Sequence, residues 1–504
     1  MPPRRKGRSR EGVNEHYEYL PLREAMLRKG DKVNFYGAIS EYDHPKPTRG
    51  SDVLCTMTVV DMSYDNPGLR LLIFASAKNC PIVKTLGDII RVHRVEIGDY
   101  KDSPQAIANI NRKSSAFILL DGKVGSSNEP YQNSHTTYTF ARHDELTVEY
   151  MRKWIGAHPL GTRISDYLVQ ICGIKDNTYF DLCCKILYVD DRYLPQRVTI
   201  IYVWDGTDAT PRTIPILQEK DFETTPLDTL DSKQIPLPLP PRDVLCDCPS
   251  IGTMLPIVPE VQFEILPGQI PQRGDWVKFR NLACRTQAGM VEGIFTRESK
   301  LSLLSTDTKL VKDCETTYED RILTEYGRLP ESLPKPPQSL TVTDFEHIEF
   351  STLREVLTHP KVTYKFRCLV RVTSTFPTQV CNFCVRLPTD AHGGDAEASP
   401  VFAYGVRFTV EDPTGRLHAF CYGQDGAKFF NGHPPADLCG DSALVGALER
   451  KVQKLLGCKV MEDGRLAPER DPPWIKICLM SYYTDKSKPW DSRTYRIFGT
   501  TFPG

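Results

Sequence analysis

The nine residues YLPLREAML at positions 19–27 have a counterpart 331 residues further along the chain, FSTLREVLT at positions 350–358. At the same offset, the β-rich run VNFYGAI at 33–39 falls on YKFRCLV at 364–370. Apolar residues alternate with others in both runs, which is typical of a strand with one buried face. The offset is far longer than the period of a solenoid repeat. The pattern therefore predicts one type of domain near both ends of the chain.

Each copy continues with a predicted β-hairpin. The expected strand, turn and return strand are 54–61, 63–68 and 69–75 in the first copy, and 404–411, 412–415 and 416–422 in the last. Both turns contain the Pro and Gly that tight turns favour. In the last copy we expect a helix capped by Asp441 or Ser442 and ended by Gly457, then a closing strand at 474–483.

The middle of the chain repeats this theme less clearly, with predicted strands at 179–189, 197–204 and 275–280. An amphipathic helix at 144–158 is expected to separate the first unit from the second, and its apolar face holds Leu146, Met151, Trp154 and Ile155. Three units of about five short strands each predict a mostly β protein of three tandem OB-fold barrels with short helices. Periodicity alone leaves other small β-barrels or sandwiches open.

The expected domains follow from these boundaries. They are a disordered basic tail at 1–13, OB fold 1 at 14–158, OB fold 2 at 162–328 with a Pro-rich insertion at about 208–272, a stiff linker at 329–339 and OB fold 3 at 340–504. The basic tail is either a nuclear-import or nucleic-acid arm or simply a solvated terminus.

Composition excludes several classes of protein. The chain has 63 Lys and Arg against 64 Asp and Glu, and 40% apolar residues, which is ordinary globular composition. No apolar run is long enough to span a bilayer, and no hydrophobic region follows the basic residues near the start, so neither a membrane span nor a signal peptide is expected. Sixteen Cys in 504 residues are too few for a disulfide scaffold and predict reduced thiols inside the cell.

The sequence contains no motif that calls for catalysis. A phosphate-binding loop, a nucleophile elbow and a zinc-protease helix are all missing, and the carboxylates are scattered. Cys381 and Cys384 have the spacing of two zinc ligands, but no second such pair follows. Two interpretations stay open for this pair: half of a structural zinc site in OB fold 3, or reduced cysteines. We expect no required cofactor.

Nucleic-acid binding is the function that the residues of the first unit fit. OB barrels stack bases on aromatic rings while Lys and Arg follow the phosphates. The loop after the first strand contains Tyr42, and Phe74 lies near the end of the return strand. From the residues alone, Phe74 is either a core residue or a stacking platform. Residues 17–160 hold 18 basic and 17 acidic residues, which argues against a binder driven by phosphate charge alone.

Several motifs in chain order resemble the protection-of-telomeres family, which is related to the ciliate telomere end-binding protein alpha subunits. They are VNFYG at 33–37, RGSD at 49–52, LLIF at 71–74, GDIIRVHR at 87–94, Tyr100 with Gln105, YFDL at 179–182, VWDGT at 203–207, FTVEDPTG at 408–415, KFF at 428–430 and the strand 474–483. The resemblance covers nearly the whole chain. The domain inserted into the third barrel of animal members is absent, which resembles the plant branch.

The resemblance implies that the first two OB folds grip G-rich telomeric single-stranded DNA and that the third binds protein. It implies base and backbone contacts from Arg49, Gly50, Ser51 and Asp52, stacking by Phe74, Tyr100 and, in the second barrel, Tyr179, and polar contacts from His93 and Gln105. It thereby favours Phe74 as a platform. Asp43 stands where animal members have a Lys, which puts one contact in question.

The function expected from these observations is binding, without covalent chemistry, of the G-rich 3′ overhang at telomeres in the nucleus. Such binding would cap chromosome ends and control telomerase access, with a monomer on DNA and with telomerase or capping proteins on OB fold 3. The alternative is a telomerase-associated interaction factor with weak or no DNA binding of its own.

Overall fold

The computed structural model describes residues 17–100, 103–111, 114–135, 138–158, 160, 166–190, 199–216, 239–260, 271–287, 289–333, 335, 338–387 and 400–503. These residues form two compact units. Unit 1 holds the described residues up to 160 together with 300–308, and unit 2 holds the others. The predicted basic tail and much of the Pro-rich insertion lie outside the described residues. Within those ranges, no helix combines the length and the apolar character needed to cross a bilayer.

Barrel 1 lies in unit 1. Its strands are β1 (Lys32–Pro47), β2 (Val53–Asp61), β3 (Tyr64–Ala75), β4 (Ile89–Tyr100) and β5 (Ser103–Asn109), with β6 (Ala116–Leu120) and β7 (Gln132–Asn133) added beyond β4. The strand order is β1-β2-β3-β5-β4, and β4 pairs back onto β1 to close the barrel. Helices α1 (Leu22–Ala25) and α2 (Arg142–Ala157) flank it.

Barrel 2 lies in unit 2. Its elements are β8 (Leu168–Val169), β9 (Tyr179–Asp190), β10 (Ile200–Trp204), β11 (Ile214–Pro215), α3 (Arg242–Cys246), β12 (Leu255–Pro259), β13 (Trp276–Gln287), β14 (Met290–Phe295) and α4 (Lys309–Ile322). The order is β9-β10-β12-β14-β13, and β13 pairs back onto β9. Strand β15 (Lys300–Leu304) belongs to unit 1.

Barrel 3 also lies in unit 2. Its elements are β16 (Val342–Thr343), α5 (Leu353–Thr358), β17 (Tyr364–Phe376), β18 (Cys384–Arg386), β19 (Phe402–Asp412), β20 (Gly415–Tyr422), α6 (Gly423–Phe429), α7 (Ser442–Leu455), β21 (Cys458–Val460), β22 (Leu466–Arg470), β23 (Ile475–Tyr483), β24 (Arg493–Phe498) and β25 (Thr500–Thr501). The order is β17-β19-β20-β24-β23, and β23 pairs back onto β17.

The three barrels therefore have the same topology. In each, the third and fifth strands are parallel and the other neighbours are antiparallel. A closed five-stranded barrel with this strand order is the OB fold, so the predicted fold class is confirmed. Every second side chain of each strand points into the barrel and fills its interior. In β20, Leu417, Ala419 and Cys421 are buried while the residues between them face outward.

An aspartate at the end of the second strand repeats in all three barrels: Asp61, Asp205 and Asp412. One oxygen of each accepts from a backbone N–H ahead of the first strand, that of Leu22, Ile171 and Leu353 respectively, at 2.7–2.8 Å. The other oxygen accepts from the N–H and hydroxyl of the Ser or Thr two residues later. In barrels 1 and 3 the leucine that donates begins the repeated sequence LRE, at 22–24 and 353–355, so this aspartate holds the repeated segment. The Asp-x-Ser/Thr spacing is the sequence signal of this arrangement.

Two local predictions are wrong. The turn expected at 63–68 is mostly strand, because β2 and β3 reverse directly after Asp61 and Asp61 pairs with Tyr64. Leu146 is 61% exposed, because α2 packs through Met151 of the predicted face and through Val148. The closing strand expected at 474–483 is confirmed as β23, which pairs back onto β17, and β24 follows it in the chain. The helix capped by Asp441 is confirmed, and its carboxylate accepts from the N–H of Leu444.

Barrels 2 and 3 pack together within unit 2. Arg354, which is 1% exposed, donates to the carbonyl of Pro249 at 2.6 Å. Arg371, equally buried, donates to the carbonyl of Arg212 at 3.2 Å. Strand β11 also joins β22 and β21 in a three-stranded sheet. Buried guanidinium groups that donate to carbonyls across the two barrels join them into one packed body, while the predicted domain boundaries remain predictions.

Candidate nucleic-acid interface

Phe74 lies on the outside of barrel 1. In β3, Leu71, Ile73 and Ala75 are fully buried, whereas Phe74 is half-buried and points the opposite way. Its register partners are Leu54 in β2 and Asn109 in β5. Successive side chains of a strand face opposite sides of the sheet, so the buried neighbours fix this orientation. Of the two roles left open by the sequence, the position suits a platform.

Two other predicted contacts face the same way. Gln105 lies in β5, in register with Arg70 of β3. Tyr100 ends β4 opposite Ser103 and is 54% exposed. The register positions of Phe74 and Tyr100 are six residues apart along β5, or about 20 Å. We call the surface formed by Arg70, Leu72, Phe74, Tyr100, Gln105 and Asn109 the outer face of barrel 1.

The loop that carries RGSD adjoins one end of the outer face and is held by its own hydrogen bonds. Both the N–H and the hydroxyl of Thr48 donate to the carbonyl of Asp52, at 3.0 and 2.7 Å. The Asp52 carboxylate accepts from Asn111 Nδ2 at 2.5 Å, and Asn111 Oδ1 accepts from the N–H of Ser76. The loop is therefore tied to the ends of β3 and β5, while Arg49, Gly50 and Ser51 stay exposed.

Asn111 is the residue of this region that the sequence reasoning missed. It connects Asp52 to the backbone just after β3, although it follows β5. A polar residue two positions after an apolar strand carries no local signal of such a role. Only the pairing of β3 with β5, which no periodicity specifies, would have indicated it.

Asp43 does not present an isolated negative charge. Its Oδ1 lies 2.8 Å from Lys300 Nζ, and the Asp43 side chain is only 16% exposed. Both residues belong to unit 1, where β15 contacts β1. The Asp43 carboxylate is thus neutralised within the unit.

Tyr42 packs inward, which corrects the exposed loop position expected for it. It lies in β1 in register with Met57, its ring contacts the barrel core, and its hydroxyl donates to the carbonyl of Pro81 at 3.0 Å. Burial raises the pKa of this phenol above its ordinary value. In this position Tyr42 supports the strand from which the RGSD loop leaves, and it does not offer a ring for stacking.

His93 is also buried, at 9% exposure, and its contacts lie with the N-terminal segment instead of the outer face. Its Nε2 is 2.7 Å from the hydroxyl of Tyr19, and Tyr17 stacks on its ring with centroids 4.4 Å apart. Burial, helped by Arg91 and Arg94, lowers the pKa of His93 to about 4. The imidazole is therefore neutral at physiological pH, and it borders a cavity of about 270 Å³.

Tyr179 opens β9 of barrel 2 and is 61% exposed, whereas its neighbour Phe180 is buried. This is the exposed aromatic that the sequence predicts for the second barrel. Its role in binding stays a prediction.

The cysteines of barrel 3 do not form a metal site among the described residues, where no three potential ligands cluster. Cys384 lies in β18 and Cys381 just before it. The thiol of Cys439 lies 3.8 Å from the carbonyl oxygen of Cys381. Burial raises the pKa of Cys384, which favours the protonated thiol. A zinc ion on Cys381 and Cys384 remains a prediction without a complete ligand set.

Two family models match the chain. Residues 13–160 match the family described as "Telomeric single stranded DNA binding POT1/CDC13". Residues 336–488 match the one described as "POT1A-like, OB fold domain". The matched regions contain barrel 1 with its outer face and most of barrel 3.

Similar proteins extend the match across the chain. "Protection of telomeres protein 1a" of Arabidopsis thaliana is 30% identical over 501 residues, covering 96% of this chain and 98% of the relative. "Protection of telomeres protein 1b" of the same plant is 27% identical over 487 residues, covering 96% and 98%. "Protection of telomeres protein 1" of Homo sapiens is 31% identical over 195 residues, which is 38% of this chain and 28% of the human protein.

Proposed function

Because the chain belongs to the protection-of-telomeres family, we propose that it binds the G-rich single-stranded overhang of telomeres through its first two barrels. Binding would shield the end and limit telomerase access without any covalent step, in the nucleus and as a monomer on the DNA. The third barrel would bind telomerase or other capping proteins.

The observation that carries this proposal is the outer face of barrel 1. Phe74 and Tyr100 supply an aromatic ring at each end, about 20 Å apart, and Arg70 and Gln105 lie between them. An OB fold covers about 4–16 nucleotides, so one strand can reach both rings. Asp52, held by Asn111, can accept from the amino and imino groups of guanine, which are hydrogen-bond donors.

The near-neutral charge of this unit supports selectivity. Release of counterions dominates the affinity of non-specific DNA binders. Residues 17–160 hold 18 basic against 17 acidic residues, so little affinity can come from that source. The ion pair of Asp43 with Lys300 weakens the case for an interaction factor with weak or no DNA binding, because the Asp43 carboxylate is already neutralised.

The test is competition binding of the full chain to G-rich telomeric repeats, their C-rich complement and a scrambled G-rich strand in physiological salt. We expect at least a tenfold preference for the telomeric strand, which is about 1.4 kcal/mol of discrimination. Equal binding to the telomeric and scrambled strands would refute sequence recognition. Absence of binding to all three would favour the telomerase-associated interaction factor.

A further inference from the structure

Barrel 3 carries an exposed surface of alternating aromatic and guanidinium groups. Phe420 faces outward from β20, in register with Arg407 of β19 and Arg496 of β24. Phe376 lies opposite Arg407 on the other side of β19, and Tyr422 ends β20. We call these five residues the aromatic–arginine face. Its three rings are 59%, 38% and 42% exposed for Phe376, Phe420 and Tyr422.

The guanidinium groups lie against the rings. Arg407 Cζ is 4.9 Å from the centroid of Phe376. Arg496 Nη1 donates to the hydroxyl of Tyr422 at 3.3 Å, which raises the pKa of that guanidinium. These contacts hold flat, charged groups and aromatic rings side by side on one sheet surface. Such a surface can stack bases and contact phosphates at the same time.

Two guanidinium nitrogens in this face lack a hydrogen-bond partner. In the part of the chain that the structure describes, Nε of Arg407 and Nε of Arg496 are buried and make no hydrogen bond. A buried donor of this kind is costly unless something accepts from it. The carboxylate of Glu411, four residues further along β19, is engaged by Arg416 at 2.5 Å and Arg371 at 3.4 Å. Asp425 lies 3.9 Å from Arg496 Nε. Among the described residues it makes no ion pair with Arg407, so the Arg407 guanidinium is available to bind an anion.

We propose that the aromatic–arginine face of barrel 3 is a second binding surface for single-stranded DNA, separate from the outer face of barrel 1. Phe420 occupies the position that Phe74 has in barrel 1: outward on the third strand, between the second and fifth strands. The bases would stack on Phe420 and Tyr422, and Arg407 would bind a phosphate oxygen. This inference rests on family membership for the choice of DNA, and it does not require barrel 1 to bind.

The positive charge of this face favours single-stranded DNA over a hydrophobic protein segment as its ligand. A hydrophobic docking peptide offers the Arg407 guanidinium neither an acceptor nor an opposite charge, whereas every phosphate of a strand supplies acceptor oxygens with the opposite charge. Neighbouring His418 adds no positive charge at neutral pH, since burial and the arginines Arg407 and Arg416 lower its pKa. The salt dependence should therefore come from the arginines.

The experiment measures binding of a single strand of about 40 nucleotides, long enough for three OB folds, to the full chain and to its Phe74→Ala variant. In each background, Phe420→Ala with Tyr422→Ala should weaken binding about five- to 150-fold per ring lost. Arg407→Ala should reduce the slope of log affinity against log salt by about 0.7. Tyr364→Ala, which removes a ring 43% exposed elsewhere on barrel 3, should change neither quantity.

Conservative changes keep the test valid if the double variant unfolds. Phe420→Tyr with Tyr422→Phe retains both rings and should bind as the wild type does. Photo-crosslinking of a 5-bromouracil-containing strand should also label the peptide that contains Phe420. The proposal is overturned if the folded alanine variants bind DNA unchanged in both backgrounds, including the case in which they lose a protein partner instead. Loss of binding through Phe74→Ala alone would support the outer face of barrel 1 and count against this one.

Discussion

Phe74 and Ile73 are neighbours on β3 that face opposite sides of barrel 1, so substituting each by Ala separates binding from stability. Ile73 is fully buried in the barrel core, and Ile73→Ala should lower the free energy of unfolding by about 2–5 kcal/mol. Phe74 is half-buried on the outer face. Phe74→Ala should lower DNA affinity by about 1–3 kcal/mol, the value of one stacked base, with a smaller effect on unfolding than Ile73→Ala.

The assay is urea unfolding of both variants, followed by fluorescence-anisotropy titration with a telomeric strand under conditions where each variant is folded. Ile73→Ala should keep its affinity once folded, while Phe74→Ala should lose about five- to 150-fold. Phe74→Trp, which keeps a stacking ring, is the matched control and should retain binding. An unchanged affinity in a folded Phe74→Ala variant would refute the assignment of this face to DNA.

Three further predictions concern the groups around the outer face and the barrel turns. Asn111→Ala removes the tie between Asp52 and Ser76, so amide hydrogen exchange should speed up at residues 48–52; unchanged exchange would show that Thr48 alone holds the loop. Asp412→Asn replaces an acceptor oxygen by a donor facing an N–H or hydroxyl, and should lower the free energy of unfolding in urea by about 2–3 kcal/mol; no loss would contradict the role of Asp412 in holding Leu353 and Thr414. The folded pKa of His93, about 4, lies below its unfolded value, so stability should fall by up to about 3 kcal/mol between pH 6.5 and pH 4. His93→Phe should flatten that dependence, and an identical profile in the variant would exclude His93 as its source.

The fold was predictable because alternation and turn residues act locally. The strands of barrel 3 and the cap of α7 at Asp441 follow from residues close in sequence. The turn after Asp61 was misplaced because Pro67 and Gly68 signal a turn, whereas Asp61 binds Ser63 and reverses the chain earlier. A side-chain hydrogen bond of this kind is visible only when the Asp-x-Ser/Thr spacing is sought.

The candidate site was predictable only in part. The outward position of Phe74 follows from the alternation of side chains along β3, which the apolar neighbours Ile73 and Ala75 indicate in the sequence. The inward position of Tyr42 depends on irregular register in β1, where bulges shift the pairing with β2. The burial of His93 depends on Tyr17 and Tyr19, more than 70 residues earlier in the chain. Tertiary contacts of this range leave no periodic signal in the sequence.

The aspartate at the end of each second strand bears on how fragments of this protein should be cut. Leu353, whose N–H binds Asp412, lies 11 residues ahead of β17, and Leu22 lies ten ahead of β1. A fragment that begins at the first strand would keep the aspartate and discard its donor. Expression boundaries for single barrels therefore belong upstream of Pro21 and Thr352, and fragments trimmed to the strands would misreport the stability and binding of the intact barrel.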